Sequence, residues 1–324
     1  MGATYDDLTT ASKVAVDQCL KVQPGEQVAI VFDEPCRSVA VALKEAALEA
    51  GAEVVLAEMT PRKQSSEEPP KPIAALMAAS DVIFAPTSKS LSHTDARRQA
   101  CEKGARVGTL PGITDDVFAR TLIADYDRIA QRGNQLAEKV DGCTEVTITS
   151  PQGTDVTLSL KGRKVMADTG LVHESGGMSN LPAGEVFFAP VEGTANGRVV
   201  IDGSIGQSGI LESPIVVEIV DGLVVSLSGD PYHWTLQNEM DAAGQEARNV
   251  AEVGIGTHDG AGLVGNVLED EKILGTVHVA FGDNASMGGR VTAPFHQDGI
   301  ILHPVLAVDG EVILKNGQFL INLP

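Results

Sequence analysis

The chain has 324 residues, 43% of them hydrophobic and 21% charged, and its 24 Lys plus Arg against 44 Asp plus Glu leave a net charge of −20. That length supports one large or two ordinary domains, and no apolar run reaches the ~18–20 residues of a membrane span. The acidic balance repels phosphate backbones, so transmembrane, disordered and nucleic-acid-binding classes are excluded on composition. The opening MGATYDDLTT carries acids where a secretory leader needs bases and then an apolar stretch, which predicts a cytoplasmic protein. Cys19, Cys36, Cys101 and Cys143 are scattered without a Cys-x-x-Cys pair, which predicts free thiols and no thiolate zinc site.

Over residues 1–140 short β-branched runs alternate with helical stretches, the pattern of a parallel sheet covered by helices. Residues 25–34 read as the first strand; 37–50 read as an amphipathic helix closed by Gly51, a residue suited to the left-handed C-terminal cap. Further strands are predicted in VVLAEM, DVIFAP and ARVGTL, and helices over 73–80, 94–104 and, as one stretch, 113–140. Polar, proline-rich QSSEEPPKP at 64–72 is a loop. After Gly142 the texture changes to strands joined by turn signals. TEVTITS and VTLSLK flank a Pro-Gln-Gly-Thr-Asp loop, Asp221-Gly222 predicts a type I′ hairpin, and VLAVDGEVILKNG repeats the device. One helix is expected at 235–250. The predicted architecture is a Rossmann-like α/β domain, residues 1–140, followed by a mainly antiparallel β-rich domain, residues 141–324.

Cofactor fingerprints are missing from the first domain. The turn after the first strand is Asp33-Glu34-Pro35-Cys36, with no glycines to approach a pyrophosphate, and there is no Gly-x-Ser-x-Gly elbow. The last third is more informative, for His233, His258, His278, His296 and His303 sit there among acids and glycines. In His296-Gln297-Asp298 an extended backbone projects imidazole and carboxylate to one face, as divalent-metal ligation requires. Glu252 in AEVGIGTH, Glu185 in NLPAGEVFFAP and His278 in GTVHVAFG are ionisable groups inside apolar, glycine-flanked runs, costly to bury without a partner. Together these five residues predict a metal centre in the second domain.

The blocks NLPAGEVF, AEVGIGT, GTVHVA and HQD at 180–298 resemble, in order and spacing, the cocatalytic metalloaminopeptidases of the aminopeptidase T and AmpS type. The resemblance implies a two-metal site of Zn, Mn or Co held by Glu185, Glu252, His278, His296 and Asp298, with Glu185 as bridge and Glu252 as a ligand or general base. It implies a metal-dependent hydrolase or metalloprotease acting on an amide, with a small molecule or short peptide as substrate, and a homodimer. His93, in Ser90-Leu91-Ser92-His93-Thr94, is expected to act as an acid or substrate contact. One departure stands out: those enzymes carry a catalytic tyrosine seven residues after the histidine matching His278, and Ala285 stands here. Asn284 and Arg290 are the expected replacement donors. The short chain and the His93 block also look like a related branch, the mononuclear-iron dihydroxypyridine dioxygenases, which open an aromatic ring. The alternative expectation is therefore an Fe(II) dioxygenase; this chain departs from that branch, which has a histidine where Glu252 stands and non-ligand residues at Glu185 and His278, so its two-histidine, one-carboxylate triad would need His258 or His278 with His296 and Asp298. A non-catalytic metal-binding relative is the third.

Overall fold

The structure is a computed structural model describing residues 2–324. The chain divides into two compact units, one of residues 1–130 and 168–183, the other of residues 131–167 and 184–324. The expected boundary at 140/141 lies near the first crossing; the return of 168–183 to the first unit was not anticipated. That return is made by a three-residue strand, Met178–Asn180, too short to show a period in the sequence.

The first unit holds the predicted parallel sheet. Strands β1 (Gln27–Phe32), β2 (Glu53–Glu58), β3 (Val82–Thr87) and β4 (Arg106–Pro111) pair in the order β2-β1-β3-β4, and Met178–Asn180 adds parallel to β4. β1 and β3 are buried almost throughout, as central strands covered on both faces must be. Helix Arg37–Glu49 buries Val39, Ala40, Leu43 and Ala47, its i, i+3/4 stripe, and ends where Gly51 takes φ +86. The stretch expected as one helix over 113–140 is two, Asp115–Leu122 and Tyr126–Val140. Ile123 leaves helical geometry at ψ 71, and Asp125 then takes the Arg128 N–H in a new N-terminal turn. Among the described residues no helix is long and apolar enough to cross a membrane.

The second unit is built of antiparallel sheets around one core. An eight-stranded sheet runs 223–229, 215–220, 196–201, 155–159, 145–149, 305–308, 311–315, 318–319. The predicted hairpin turns form as expected: Asp221-Gly222 has φ 48 and 78, and Asp309-Gly310 has φ 47 and 80, both residues left-handed as type I′ demands. A second sheet orders His296–Ile301, Val277–Gly282, Val250–Gly256 and Glu185–Phe188, with Met166–Asp168 at its edge. Val146, Ile148, Val199 and Val217 from the first sheet and Val186, Phe188, Val253, Ile255, Val279, Phe281 and Ile301 from the second fill a single core. The helix expected at 235–250 spans Tyr232–Ala243 and gives way to a strand at Val250.

Candidate metal centre

Four successive strands of the smaller sheet present the core residues on one face, so period-two alternation sends Glu185, Glu252, Gly254, His278, Ala280, His296 and Asp298 to the other. Register brings them level: Glu185 pairs with Gly256, His278 with Gly254, and Ala280 with both Glu252 and Asp298. Glycines keep this face low. At Gly254 an added Cβ would fall 2.9 Å from His278 Cδ2 and closer still to Cε1 and Nε2, so the imidazole lies across the bare strand.

The five predicted residues converge. Glu185, Glu252 and His278 form one buried triad, and Glu252, His296 and Asp298 a second, each with its donor atoms within 4.8 Å of one another. His278 Nε2 stands 3.2 Å from Glu185 Oε2 and 3.6 Å from Glu252 Oε1; His296 Nε2 stands 3.3 Å from Glu252 Oε2 and 3.5 Å from Asp298 Oδ1. Glu252 therefore turns one oxygen to each imidazole. The second triad opens outward, for the His296 side chain is 29% exposed whereas that of His278 is 1% exposed.

Two observations fit a cation. Glu185 Oε2 and both ring nitrogens of His278 are buried without a hydrogen-bond partner, an arrangement that costs free energy unless a positive centre meets those atoms. In addition, His296 Nδ1 lies 2.8 Å from the Asp283 carbonyl oxygen. A carbonyl only accepts, so Nδ1 carries a proton and Nε2 is the nitrogen turned to the two carboxylates, free to give up its own proton for an ion. Electrostatics also call for positive charge here: burial alone lowers His278 and His296, yet the surrounding carboxylates raise both well above the usual imidazole range, so a bound cation would take the place of protons on these rings. Burial raises Glu185, but Lys272 and His278 override it and hold its carboxyl at about 2. Glu252 and Asp298 are likewise lowered against their burial, chiefly by the imidazoles.

Two site residues escaped the sequence reading. Lys272 is fully buried, its ammonium donating to Glu185 Oε1 at 2.5 Å and to Glu271 Oε1 at 2.7 Å. Burial lifts the Glu271 carboxyl to about 8 despite that lysine. The signal was the run Glu269-Asp270-Glu271-Lys272 between Leu268 and Ile273, four charges that read as solvated surface and are all buried.

None of the other expected residues contributes a donor to either triad. Asn284 is a rivet, not a donor for chemistry: fully buried, it accepts from Val291 N–H and donates to Glu192. Arg290 is exposed, with its backbone N–H on the same Glu192. His258 is buried and accepts from Gly260 N–H, and His303 is an exposed residue at φ 51. His93 belongs to the first unit, exposed in the turn before helix Asp95–Glu102, where its carbonyl accepts from Arg98.

Comparison with known proteins corrects the expected reaction. A family model described as NicX, 2,5-dihydroxypyridine 5,6-dioxygenase, matches residues 7–321. Among solved structures the chain is similar to 2,5-dihydroxypyridine dioxygenase from Pseudomonas putida KT2440, with TM-score 0.85 and 18% identity over 98% of both chains. It is also similar to wild-type AmpT from Thermus thermophilus, with TM-score 0.75 and 16% identity over 98% of this chain and 99% of that one. No curated protein matches. The metallohydrolase, aminopeptidase and metalloprotease expectation is thereby overturned by the family match. Its physical source is plain: the motifs behind it all lie on one sheet face and in the turns feeding it, so they report a donor cage that one fold can carry into different reactions.

Proposed function

Because the chain belongs to the 2,5-dihydroxypyridine 5,6-dioxygenase family, we propose that it is a metal-dependent oxidoreductase that opens a hydroxylated, nitrogen-containing aromatic ring with molecular oxygen. The observation that carries the reading within the molecule is the outward triad of Glu252, His296 and Asp298, one imidazole and two carboxylates at the rim, which differs from the two-histidine, one-carboxylate set of non-haem iron(II) oxygenases by the carboxylate at Glu252. These three residues would hold a divalent ion, iron(II) in this reading. Bound ferrous iron supplies the one-electron chemistry that lets ground-state oxygen react with an aromatic ring.

The protein's own groups do the rest. The Asp283 carbonyl holds a proton on His296 Nδ1, so Nε2 is the nitrogen that would meet the ion. Asp298 and Glu252 keep their carboxyls ionised, ready to coordinate. The buried side of the cluster, with His278 and Glu185 over Gly254 and Gly256, excludes water from the back of the centre. Both oxygen atoms of one O2 enter the opened product, so the reaction needs no external reductant.

The test is oxygen uptake by anaerobically iron-loaded protein given dihydroxypyridines and, for contrast, dihydroxybenzenes. One O2 consumed per ring lost, abolished in Asp298→Ala together with iron occupancy, is the expected result. Protein that holds iron by elemental analysis yet consumes no oxygen with any hydroxylated ring would remove the proposal.

A further inference from the structure

His296 opens the strand at one edge of the smaller sheet, and the groups that aim its ring stand in the loop just before it. The last cross-strand bond ahead of that loop runs from Asp283 N–H to the Phe295 carbonyl at 2.8 Å, so the next peptide, joining Asp283 to Asn284, lies beyond the ladder. Its carbonyl is the one that accepts from His296 Nδ1. A trans peptide points its N–H and its carbonyl in opposite directions, and here the N–H is taken as well, by the Val291 carbonyl at 3.1 Å. Val291 N–H in turn donates to Asn284 Oδ1 at 2.9 Å, so the peptide plane is set by how firmly Asn284 and Val291 hold each other. Glu192 gathers both sides of that pair. Its Oε1 accepts from Asn284 Nδ2 at 3.1 Å and from Arg290 N–H at 2.8 Å, and its Oε2 is paired with Arg163, which also donates to the Gly288 carbonyl. Burial raises the Glu192 carboxyl, yet its own and the Arg290 backbone N–H, the Asn284 amide and Arg163 hold it below the usual range. Two glycines let the turn close: Gly288 has φ +84, and a Cβ at Gly289 would fall on the Asn284 amide.

We propose that Glu192 is a positioning residue for His296: by holding Asn284 and the turn at Gly288–Val291 together it fixes the Asp283–Asn284 peptide, and that peptide keeps Nε2, not Nδ1, turned to Glu252 and Asp298. The inference rests on the metal reading above. Glu192 belongs to neither triad; it acts through one side chain and one peptide. Removing its carboxylate strips the buried Asn284 Nδ2 of the acceptor it has there and takes the counter-ion from Arg163, and the loop relieves both costs by opening to water. The Asp283–Asn284 peptide then gains freedom to rotate, and the imidazole, its side chain 29% exposed, has room to turn either nitrogen inward. A ligand that loses its orienting hydrogen bond holds metal about 10–100-fold more weakly.

The test reads the ring directly. Full-length protein carrying isotope-labelled histidine is loaded with Zn(II), and the His296 resonances are identified by their absence from His296→Gln. Ring-nitrogen chemical shifts then say which nitrogen binds zinc and which carries the proton. Wild type is expected to show one form, with the proton on Nδ1 and zinc on Nε2. Glu192→Ala is expected to lose that single form, through mixed ring orientations or exchange of the Nδ1 proton with water, and to bind zinc about 10–100-fold more weakly. Glu192→Gln, whose amide oxygen still accepts from Asn284 and Arg290, should recover most of both readings. Glu218→Ala, which breaks only the exposed pair with Arg198, is the control and stays at wild type. A folded Glu192→Ala that keeps the wild-type His296 form overturns the inference even where its affinity falls, because affinity lost without a change at the ring is lost elsewhere. Should Glu192→Ala not fold, Arg163→Met decides: it is expected to move both readings the same way by a smaller factor, and wild-type behaviour there overturns the inference. Binding of no zinc by wild type removes the metal reading instead, and the Nδ1 proton of the metal-free ring still answers for Glu192.

Discussion

Gly254→Ala is the sharpest single-atom perturbation of the metal face. Gly254 lies opposite His278 on one neighbouring strand and opposite Phe187 on the other, and its φ is not in the left-handed region, so the backbone accepts alanine. The added methyl has no room: ordinary contact starts near 3.4 Å, and it would meet His278 Cδ2 at 2.9 Å and the two atoms nearest the carboxylates closer still. The imidazole must swing by on the order of 1 Å, several times the ±0.2 Å that metal–ligand distances tolerate. Overpacking of a tight interior costs about 1–3 kcal/mol, and displacing a group that orients the cage costs about 10–100-fold in metal affinity. Thermal melts with and without Mn(II), alongside a metal titration, measure both. Gly262→Ala is the control, since its new methyl meets nothing closer than Glu269 Oε1 at 4.0 Å. Wild-type affinity together with a wild-type melting point in Gly254→Ala would show that His278 does not lie across this strand, and the geometry argued here would fail with it.

Two other outcomes follow from the electrostatics. The Asp309 carboxyl is held below its usual range by the Thr144 and Glu145 backbone N–H groups at 3.0 and 2.9 Å. A depressed carboxyl contributes stability above its unfolded value and loses it as pH falls through the folded one. The melting-point gap between wild type and Asp309→Asn, which keeps the left-handed turn, should be full at pH 7 and shrink below about pH 3.9; a gap constant down to pH 3 contradicts it. Burial raises the Cys36 thiol to about 12, with Asp33 adding to it, and lifts Cys19 well above the ordinary thiol range. A disulfide reagent at pH 8 should therefore spare both in native protein and reach all four thiols after denaturation, whereas four fast native thiols would refute their burial.

The fold was legible where local pattern and tertiary placement agree. Strands β1, β3 and β4, helix Arg37–Glu49 and the Asp-Gly hairpins carry period, cap and turn signals within a dozen residues. What failed was decided at a distance. Between 113 and 140 only the capping Asp125, one acid among several, hints at the break at Ile123, and Met178–Asn180 is a strand only because β4 offers an edge. Charged residues 269–272 look like surface because their partners lie far away in the chain: Glu185 for Lys272 and Ser204 for Asp270, with Val264 and Gly265 N–H groups also on Asp270. The metal face stood between these cases. Its acids and imidazoles, conspicuous in apolar strands, predicted a metal centre, but the reaction drawn from their resemblance to metalloaminopeptidases was the wrong one.

How Glu252 reaches that face shows why a residue pattern alone understates the site. Val250 and Val253 both belong to the core, three positions apart, which strict alternation forbids because it would put Glu252 in the core and Val253 outside. The ladder resolves the conflict with a bulge: Val250 pairs with Phe281 and Glu252 with Ala280, leaving Ala251 without a partner of its own. One inserted residue reverses the parity of the strand from that point on, keeping Val250 inside and turning Glu252 out between His278 and His296. The small side chain at 251 suits an extra residue in a buried strand, where a larger one would need room in the core or against the donors. Both triads depend on Glu252, so the cage owes its shared carboxylate to the bulge, while Gly254 and Gly256, on the same restored parity, leave room for the His278 imidazole and for the Lys272–Ile273 backbone.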